Sequence, residues 1–284
     1  MGIRSFFHKV KVYFQRNAEK GVVPYVAENE RYGKHGEDSL VYNLAHELTN
    51  CRVKRNVLIT TDMGRAEIDC LVLYQNKLFA IEVKRWKGRV IERDGEFFKE
   101  KTDRWTGEYH VKARKSPFKQ INRAIYLLRK QIPINAWVNS IVFFDDIDLE
   151  SISITSQDVW FQDRQELIEY IQKEGRASRD AQTFFDKCIS ADYVYSNHWG
   201  NYLYCRIYPA YLCFNTPEKT VYAKDIVKIT IEHHWWYDDL HILLTDGSIV
   251  SVQLENAVIL VDDGGRTFRF AFCKLDHIVM GREK

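Results

Sequence analysis

No apolar run in this 284-residue sequence approaches the roughly 20 residues that a membrane-spanning helix needs, so a helical span is excluded. Paired Cys-x-x-Cys spacing is missing too. The six cysteines, Cys51, Cys70, Cys188, Cys205, Cys213 and Cys273, are scattered along the chain. Such a spread offers neither a disulfide frame nor a zinc site, and it reads as buried reduced thiols of a cytosolic protein. Neither sign of charge dominates: 41 basic residues against 39 acidic ones leave a net of +2. Any affinity for nucleic acid must then come from a local patch. The N-terminal apolar residues are interrupted by Arg4, His8, Lys9 and Lys11, unlike a secretory signal. What remains is the composition of a soluble, cytoplasmic globular protein, 45% apolar and 28% charged, long enough for one large domain or two ordinary ones.

The stretch from Ala66 to Gly88, AEIDCLVLYQNKLFAIEVKRWKG, organises the reading. Residues 70–74 and 78–83 are predicted strands, with Gln75, Asn76 and Lys77 as a short hairpin loop. Centred there, the hairpin has partner numbers summing to about 152, so Asp69 lies across from Val83, beside Glu82 and Lys84. Two carboxylates and an ammonium then gather at the end of an apolar hairpin. Burying them uncompensated costs several kcal/mol per ion, by rough magnitude. A divalent ion between Asp69 and Glu82 would offset that cost; the competing account is an exposed hairpin end with an ordinary ion pair.

Ahead of the hairpin, Ile3, Phe6, Phe7, Val10, Tyr13 and Phe14 recur at helical spacing among basic residues. This basic amphipathic helix would pack on its own domain, on a second copy of the chain or on a membrane surface. A connector with Gly21 and Pro24 runs to Tyr32. Residues 33–49 are a predicted helix with Leu40, Val41, Leu44, Ala45 and Leu48 as the buried stripe. Glu37 falls in its first turn, where the helix dipole favours an acid; the functional alternative is that it reaches the metal cluster. Residues 52–60 are a first strand.

Beyond the hairpin, basic and aromatic residues interleave. Arg85, Lys87, Arg89, Lys112, Arg114, Lys115 and Lys119, with Trp86, Phe97, Phe98, Trp105 and Tyr109, suit a phosphate backbone and unstacked bases. Acids at 92, 94, 96, 100, 103 and 108 support the other account, a solvated β-meander. Residues 117–130 are a helix capped by Ser116 and opened by Pro117. Gln120, near its start, either orients a substrate or water or is a surface amide. Strands at 138–146 and 151–155 and a helix at 163–173 complete a mixed sheet flanked by helices. From about residue 191, recurring aromatic and β-branched runs, with turns at Asp246-Gly247 and Gly264-Gly265, predict an all-β barrel or sandwich. His233, His234, Trp235, Trp236 and Tyr237 stand in a row there and read as a contact surface or aromatic core rather than a metal site.

The blocks GKHGEDSLVYNLAHEL, AEIDCLVLYQNKLFAIEVKRWKGRV and SPFKQINRAIYLL, in that order, resemble the NERD (nuclease-related) domain, a branch of the PD-(D/E)XK nuclease-like superfamily. The resemblance covers roughly residues 33–150. It implies an α/β, restriction-endonuclease-like mixed sheet and a metal-dependent phosphodiesterase site. Carried over by residue, Asp69 and Glu82 are metal ligands, Lys84 is the signature lysine, Glu37 is the helix acid and Gln120 the later polar residue. Ile68 stands where the superfamily has proline. The hypothesis that follows is a Mg²⁺- or Mn²⁺-dependent nuclease, with the Val83 carbonyl in the inner shell and Glu67 as a backup acid. Its partner is nucleic acid, DNA before RNA, in DNA processing or in defence against foreign, including viral, DNA. The alternative is a non-cleaving nucleic-acid-binding module or interaction protein. The predicted organisation is 1–32 helix and connector, 33–190 nuclease-like domain and 191–284 all-β domain, with the first segment a candidate homo-oligomer contact.

Overall fold

A computed structural model describes residues 28–86, 88–102, 106–145, 149–196, 201–255, 257–262 and 267–281. The expected N-terminal amphipathic helix lies outside the described residues, as do Lys87, Trp105 and the Gly264-Gly265 turn. The rest divides into two compact units, Glu28–Ser190 and the chain from Ala191 onward. It is a mixed α/β protein.

The first unit opens with helix α1 (Glu28–Glu47), followed by strands β1 (Arg52–Thr61), β2 (Gly64–Tyr74) and β3 (Lys77–Lys84). Then come β4 (Gly88–Arg93), β5 (Glu96–Thr102), β6 (Tyr109–Arg114), helix α2 (Pro117–Gln131) and β7 (Val138–Phe144). Strands β8 (Leu149–Ser153) and β9 (Trp160–Phe161) lead to helices α3 (Arg164–Lys173) and α4 (Ala181–Lys187). The main sheet has the order β1-β2-β3-β7-β9. Its first three strands are antiparallel, and β7 runs parallel to β3. In a second sheet, β6-β5-β4-β8, the first three strands are the meander weighed between residues 85 and 119, and β8, the strand expected in the main sheet, instead pairs parallel to β4.

Two apolar clusters cover the main sheet. Leu71, Leu73, Leu78 and Ala80 pack with the buried face of α2, while Cys70, Val72, Phe79 and Ile81 pack with α1 and α3. The strict alternation follows from side chains pointing to opposite faces of a strand. Helix α2 begins as the sequence predicts, with Pro117 in its first turn and the Ser116 hydroxyl accepting from the Lys119 N–H at 3.3 Å. Two buried lysines stop the shorter helices. Lys77 Nζ donates to the carbonyls of Ile171, Gln172 and Glu174 at the end of α3. Lys54 Nζ donates to those of Phe185 and Cys188 at the end of α4. Each satisfies carbonyls that a helix end leaves open.

Three expectations need correcting. Helix α1 starts at Glu28 rather than residue 33, running through Gly33 and Gly36. Glu37 therefore sits mid-helix, and the dipole explanation of it fails. The β2–β3 loop has two residues, not three: Gln75 and Asn76 carry φ of 48° and 61°, and Lys77 already pairs with Tyr74. Two successive left-handed residues make the tight turn whose twist matches paired strands. Finally, Phe97 is a core residue and the half-buried Trp86 packs against that core, with ring centroids 6.2 Å apart and Trp86 also 5.8 Å from Phe144.

The second unit holds β10 (Asp192–Ser196), β11 (Asn201–Ile207), β12 (Phe214–Asn215), β13 (Thr220–Val221), β14 (Ile226–His233), β15 (Asp238–Leu244), β16 (Ile249–Leu254), β17 (Val258–Asp262), β18 (Thr267–Ala271) and β19 (His277–Val279). Eight of these form one antiparallel sheet, β16-β15-β14-β19-β10-β11-β17-β18, over a core that includes Val194, Leu240, Ile242 and Ile278. Among the described residues no pairing joins β16 to β18. Asp246-Gly247 forms the β15–β16 turn, with Gly247 at φ 82°. All six cysteines are free, though Cys213 is exposed rather than buried.

Candidate active site

The two-residue turn sets the register of everything at the far end of the hairpin. Cys70 pairs with Ile81 and Leu71 with Ala80, so partner numbers sum to 151. The pairing stops at Cys70; continued by one residue, this register would set Asp69 opposite Glu82 rather than Val83. A shift of one residue reverses which face a side chain takes. Continued in this way, the register would put both carboxylates on one face, where the expected one would have separated them, and the Asp69 charge does act on Glu82.

Asp69 is half-buried and Glu82 is 4% exposed. The Val83 N–H donates to Asp69 Oδ2 at 2.7 Å. In an extended strand the N–H and C=O of one residue leave on the same edge, so the Val83 carbonyl also leaves on the Asp69 side. The Lys84 carbonyl leaves on the other edge and accepts from the Asp145 N–H at 3.0 Å. Lys84 Nζ forms a direct ion pair with Glu82 Oε1.

Burial dominates the electrostatics. It raises Glu82 to about 7, with the neighbouring Asp69 charge pushing the same way against Lys84. Burial likewise raises Asp69 against the pull of Lys84 and the Val83 N–H. For Lys84, burial favours the neutral amine, but Glu82 and Asp69 outweigh it and the ammonium is held above its ordinary value. Two buried acids thus share a single ammonium.

A residue the sequence reading did not single out ties in the other acids. Asn56, 3% exposed, donates from Nδ2 to Glu67 Oε1 at 2.9 Å and to Glu37 Oε2 at 3.3 Å. Its φ is 48°, in the middle of β1. The β1–β2 ladder pairs Arg55 with Cys70 and Val57 with Ile68, so Asn56 interrupts it opposite Asp69. Core packing changes sides there as well: Val53 belongs to the α1 cluster, Val57 and Ile59 to the α2 cluster. The only hint in the sequence was an asparagine inside a β-branched run, where that residue is uncommon.

Gln120 is exposed on α2 and lines a pocket of about 610 Å³ together with Glu67, Arg114, Lys115 and Lys119. Arg65 and Arg123, not among the expected residues, line it too. Gly64, at φ 126°, lets the Arg123 guanidinium lie close: a Cβ there would stand 2.9 Å from Arg123 Nη2. The other expected basic residues are elsewhere. Arg85 is largely buried and pairs with Asp145 at 3.4 Å, so it is committed to the fold. Arg89 is exposed on β4 with Nε donating to Ser151 Oγ at 3.3 Å, and Lys112 is exposed on β6; neither lines this pocket. Among the described residues no group of three or more His, Cys, Asp or Glu side chains is assembled to hold a metal ion.

Residues 32–145 match the family model of the nuclease-related domain. The chain carries a NERD domain. It spans every group just described, from Glu37 to Gln120, together with β7. No curated protein and no solved structure matches the chain. Among the described residues, no helix is long and apolar enough to cross a membrane.

Proposed function

We propose that the NERD domain of this chain is a metal-dependent phosphodiesterase that hydrolyses nucleic acid, with DNA as its substrate, in DNA processing or defence against foreign DNA. One observation carries the reading: Asp69, Glu82 and Lys84 converge at one end of paired strands, two buried acids sharing one ammonium. An antiparallel hairpin continued by a parallel β7 supports a restriction-endonuclease-like core.

The donor set suits a hard divalent cation. Two carboxylates and the Val83 carbonyl are all oxygen donors, which Mg²⁺ prefers alongside several waters. Bound there, Mg²⁺ or Mn²⁺ would polarise the scissile phosphate and acidify a water. The remaining work falls to the chain. Asp69 and Glu82 hold the cation. Lys84, released from Glu82, stabilises negative charge developing on the phosphate. Asn56 fixes Glu37 and Glu67, which position water beside the cluster. Gln120 orients the substrate, and Arg114, Lys115, Lys119, Arg65 and Arg123 hold the phosphate backbone.

The closed Lys84–Glu82 pair favours a second reading, a nuclease-derived module that grips nucleic acid without cutting it. One experiment separates them. Purified protein is incubated with circular, linear and single-stranded DNA and with RNA, in Mg²⁺, Mn²⁺ or EDTA. The nuclease reading expects cleavage with either metal, and none in EDTA, Asp69→Ala or Glu82→Ala protein. Binding without cleavage in both metals establishes the second reading, and cleavage that survives in Asp69→Ala assigns the activity elsewhere.

A further inference from the structure

At the opposite end of β3 and β7 lies a second pocket, of about 670 Å³. Val138 pairs with Leu78 at this end and Phe144 with Lys84 at the other, a separation of roughly 20 Å at the usual rise per residue. The pocket is lined by Arg129, Trp137, Arg176, Ser178 and Arg179, and no acidic side chain lines it. Trp137 is 43% exposed, and two of the guanidiniums sit by its ring, Arg176 at 4.7 Å and Arg129 at 5.4 Å from the centroid.

The arrangement is held in place from below. Asn139 Oδ1 accepts from Trp137 Nε1 at 3.1 Å and from the Arg176 N–H at 3.0 Å, while its Nδ2 donates to the Leu78 and Arg176 carbonyls. One amide thus fixes the ring, the loop that carries Arg176 and Arg179, and the strand beneath them. Gly175, at φ 86°, turns this loop against Phe79, whose ring would stand 2.6 Å from a Cβ. Such prior fixing lowers the ordering cost of binding.

We propose that this pocket binds a nucleotide unit, its phosphate on the arginines and its base stacked on the Trp137–arginine ladder. Guanidinium forks match phosphate oxygens, and their planes stack with aromatic rings. The partial negative charge at the end of α2 opposes an anion, but only by a few tenths of a kcal/mol up to about 1, against three full positive charges. The site goes beyond the proposed hydrolytic centre and needs neither its metal nor its acids. A free nucleotide and the end of a single strand present the same chemistry here.

The test uses the full chain in EDTA, titrated calorimetrically with inorganic phosphate, adenosine monophosphate and an eight-nucleotide deoxythymidine oligomer. Binding of the nucleotide or the oligomer should weaken about tenfold or more in Trp137→Ala, which removes the stacking platform. Arg176→Ala/Arg179→Ala, altering two exposed side chains, should weaken it at least as much with an unchanged melting temperature. Asn139→Ala should weaken it less, and Asp69→Ala not at all. The tighter of the two probes distinguishes free nucleotide from strand. Nucleotide and oligomer binding unaltered in both Trp137→Ala and the double variant overturns the proposal, as does no binding of either probe by wild type. Phosphate binding that equals nucleotide binding and survives Trp137→Ala overturns it also, since no base is then being read.

Discussion

Asn56 and Glu82 concentrate the strain of the candidate site in two side chains. A non-glycine residue in the left-handed region costs of order 1 kcal/mol or more and persists where its surroundings fix it. Here the fixing partners are Glu37 and Glu67. Asn56→Ala keeps the backbone penalty and leaves two carboxylates without their shared donor, so we expect a loss of about 2 kcal/mol in urea unfolding. Asn56→Gly relieves the backbone and should lose less stability, yet it should impair any metal-dependent activity as badly. Equal activity in Asn56→Gly and wild type would show that the amide has no part in the site. Glu82 gives a pH signature. Its folded value of about 7 lies above the ordinary 4.5, so between those values the folded state holds a proton that the unfolded chain has released. This contribution is fully present below about pH 4.5 and is lost as pH rises through 7. Without metal, stability should fall across that window by up to roughly 3 kcal/mol, a figure that already includes the opposing pull of Lys84. Glu82→Gln should flatten the curve in urea titrations at pH 4.5 to 7.5, and an unaltered slope would place the proton elsewhere.

At the scale of elements, the β2–β3 turn decides the register, and through it the site. Gln75 and Asn76 both occupy left-handed conformations that Asn-Gly adopts more readily. Replacing Gln75-Asn76 with Asn-Gly should raise the melting temperature, by about 0.5–1 kcal/mol of stability, without moving Asp69 relative to Glu82. A fall in stability would mean that the two side chains contribute contacts the turn geometry does not account for. The hairpin itself was legible in the sequence because a β-branched run, a polar interruption and a second run leave few alternatives. Its register was not: whether Lys77 belongs to the loop or the strand depends on helix α3, whose terminal carbonyls bind its ammonium, and α3 begins 87 residues later. The extra length of α1 was hidden for a related reason. Glycine disfavours a helix by about 1 kcal/mol each, and only context overrides Gly33 and Gly36. Asn56 and the Arg65 and Arg123 lining were invisible because each draws its meaning from a strand or helix remote in the chain. The charged ends of β2 and β3, by contrast, are close in sequence, so Asp69, Glu82 and Lys84 could be picked out from residues alone.

Over the whole molecule, apolar burial is split between cores that share no residue. Among the described residues, the two clusters around the main sheet draw on residues from Leu40 to Cys188, and the remaining cluster on residues from Val194 onward. Cooperativity in unfolding comes from shared packing, so separate cores behave as separate transitions unless something else couples them. Leu240 and Ile242 are fully buried in the C-terminal core. Truncating either to alanine should cost about 2–5 kcal/mol there. Scanning calorimetry of wild type should resolve two transitions, and Leu240→Ala should lower one of them while leaving the other, and any nuclease activity measured for the NERD domain, intact. A single transition that moves as a whole would mean the two units stabilise each other. In that event, substitutions in the β-sheet unit would depress any cleavage in proportion to the stability they remove, and any cleavage measured over a temperature series would follow the same midpoint.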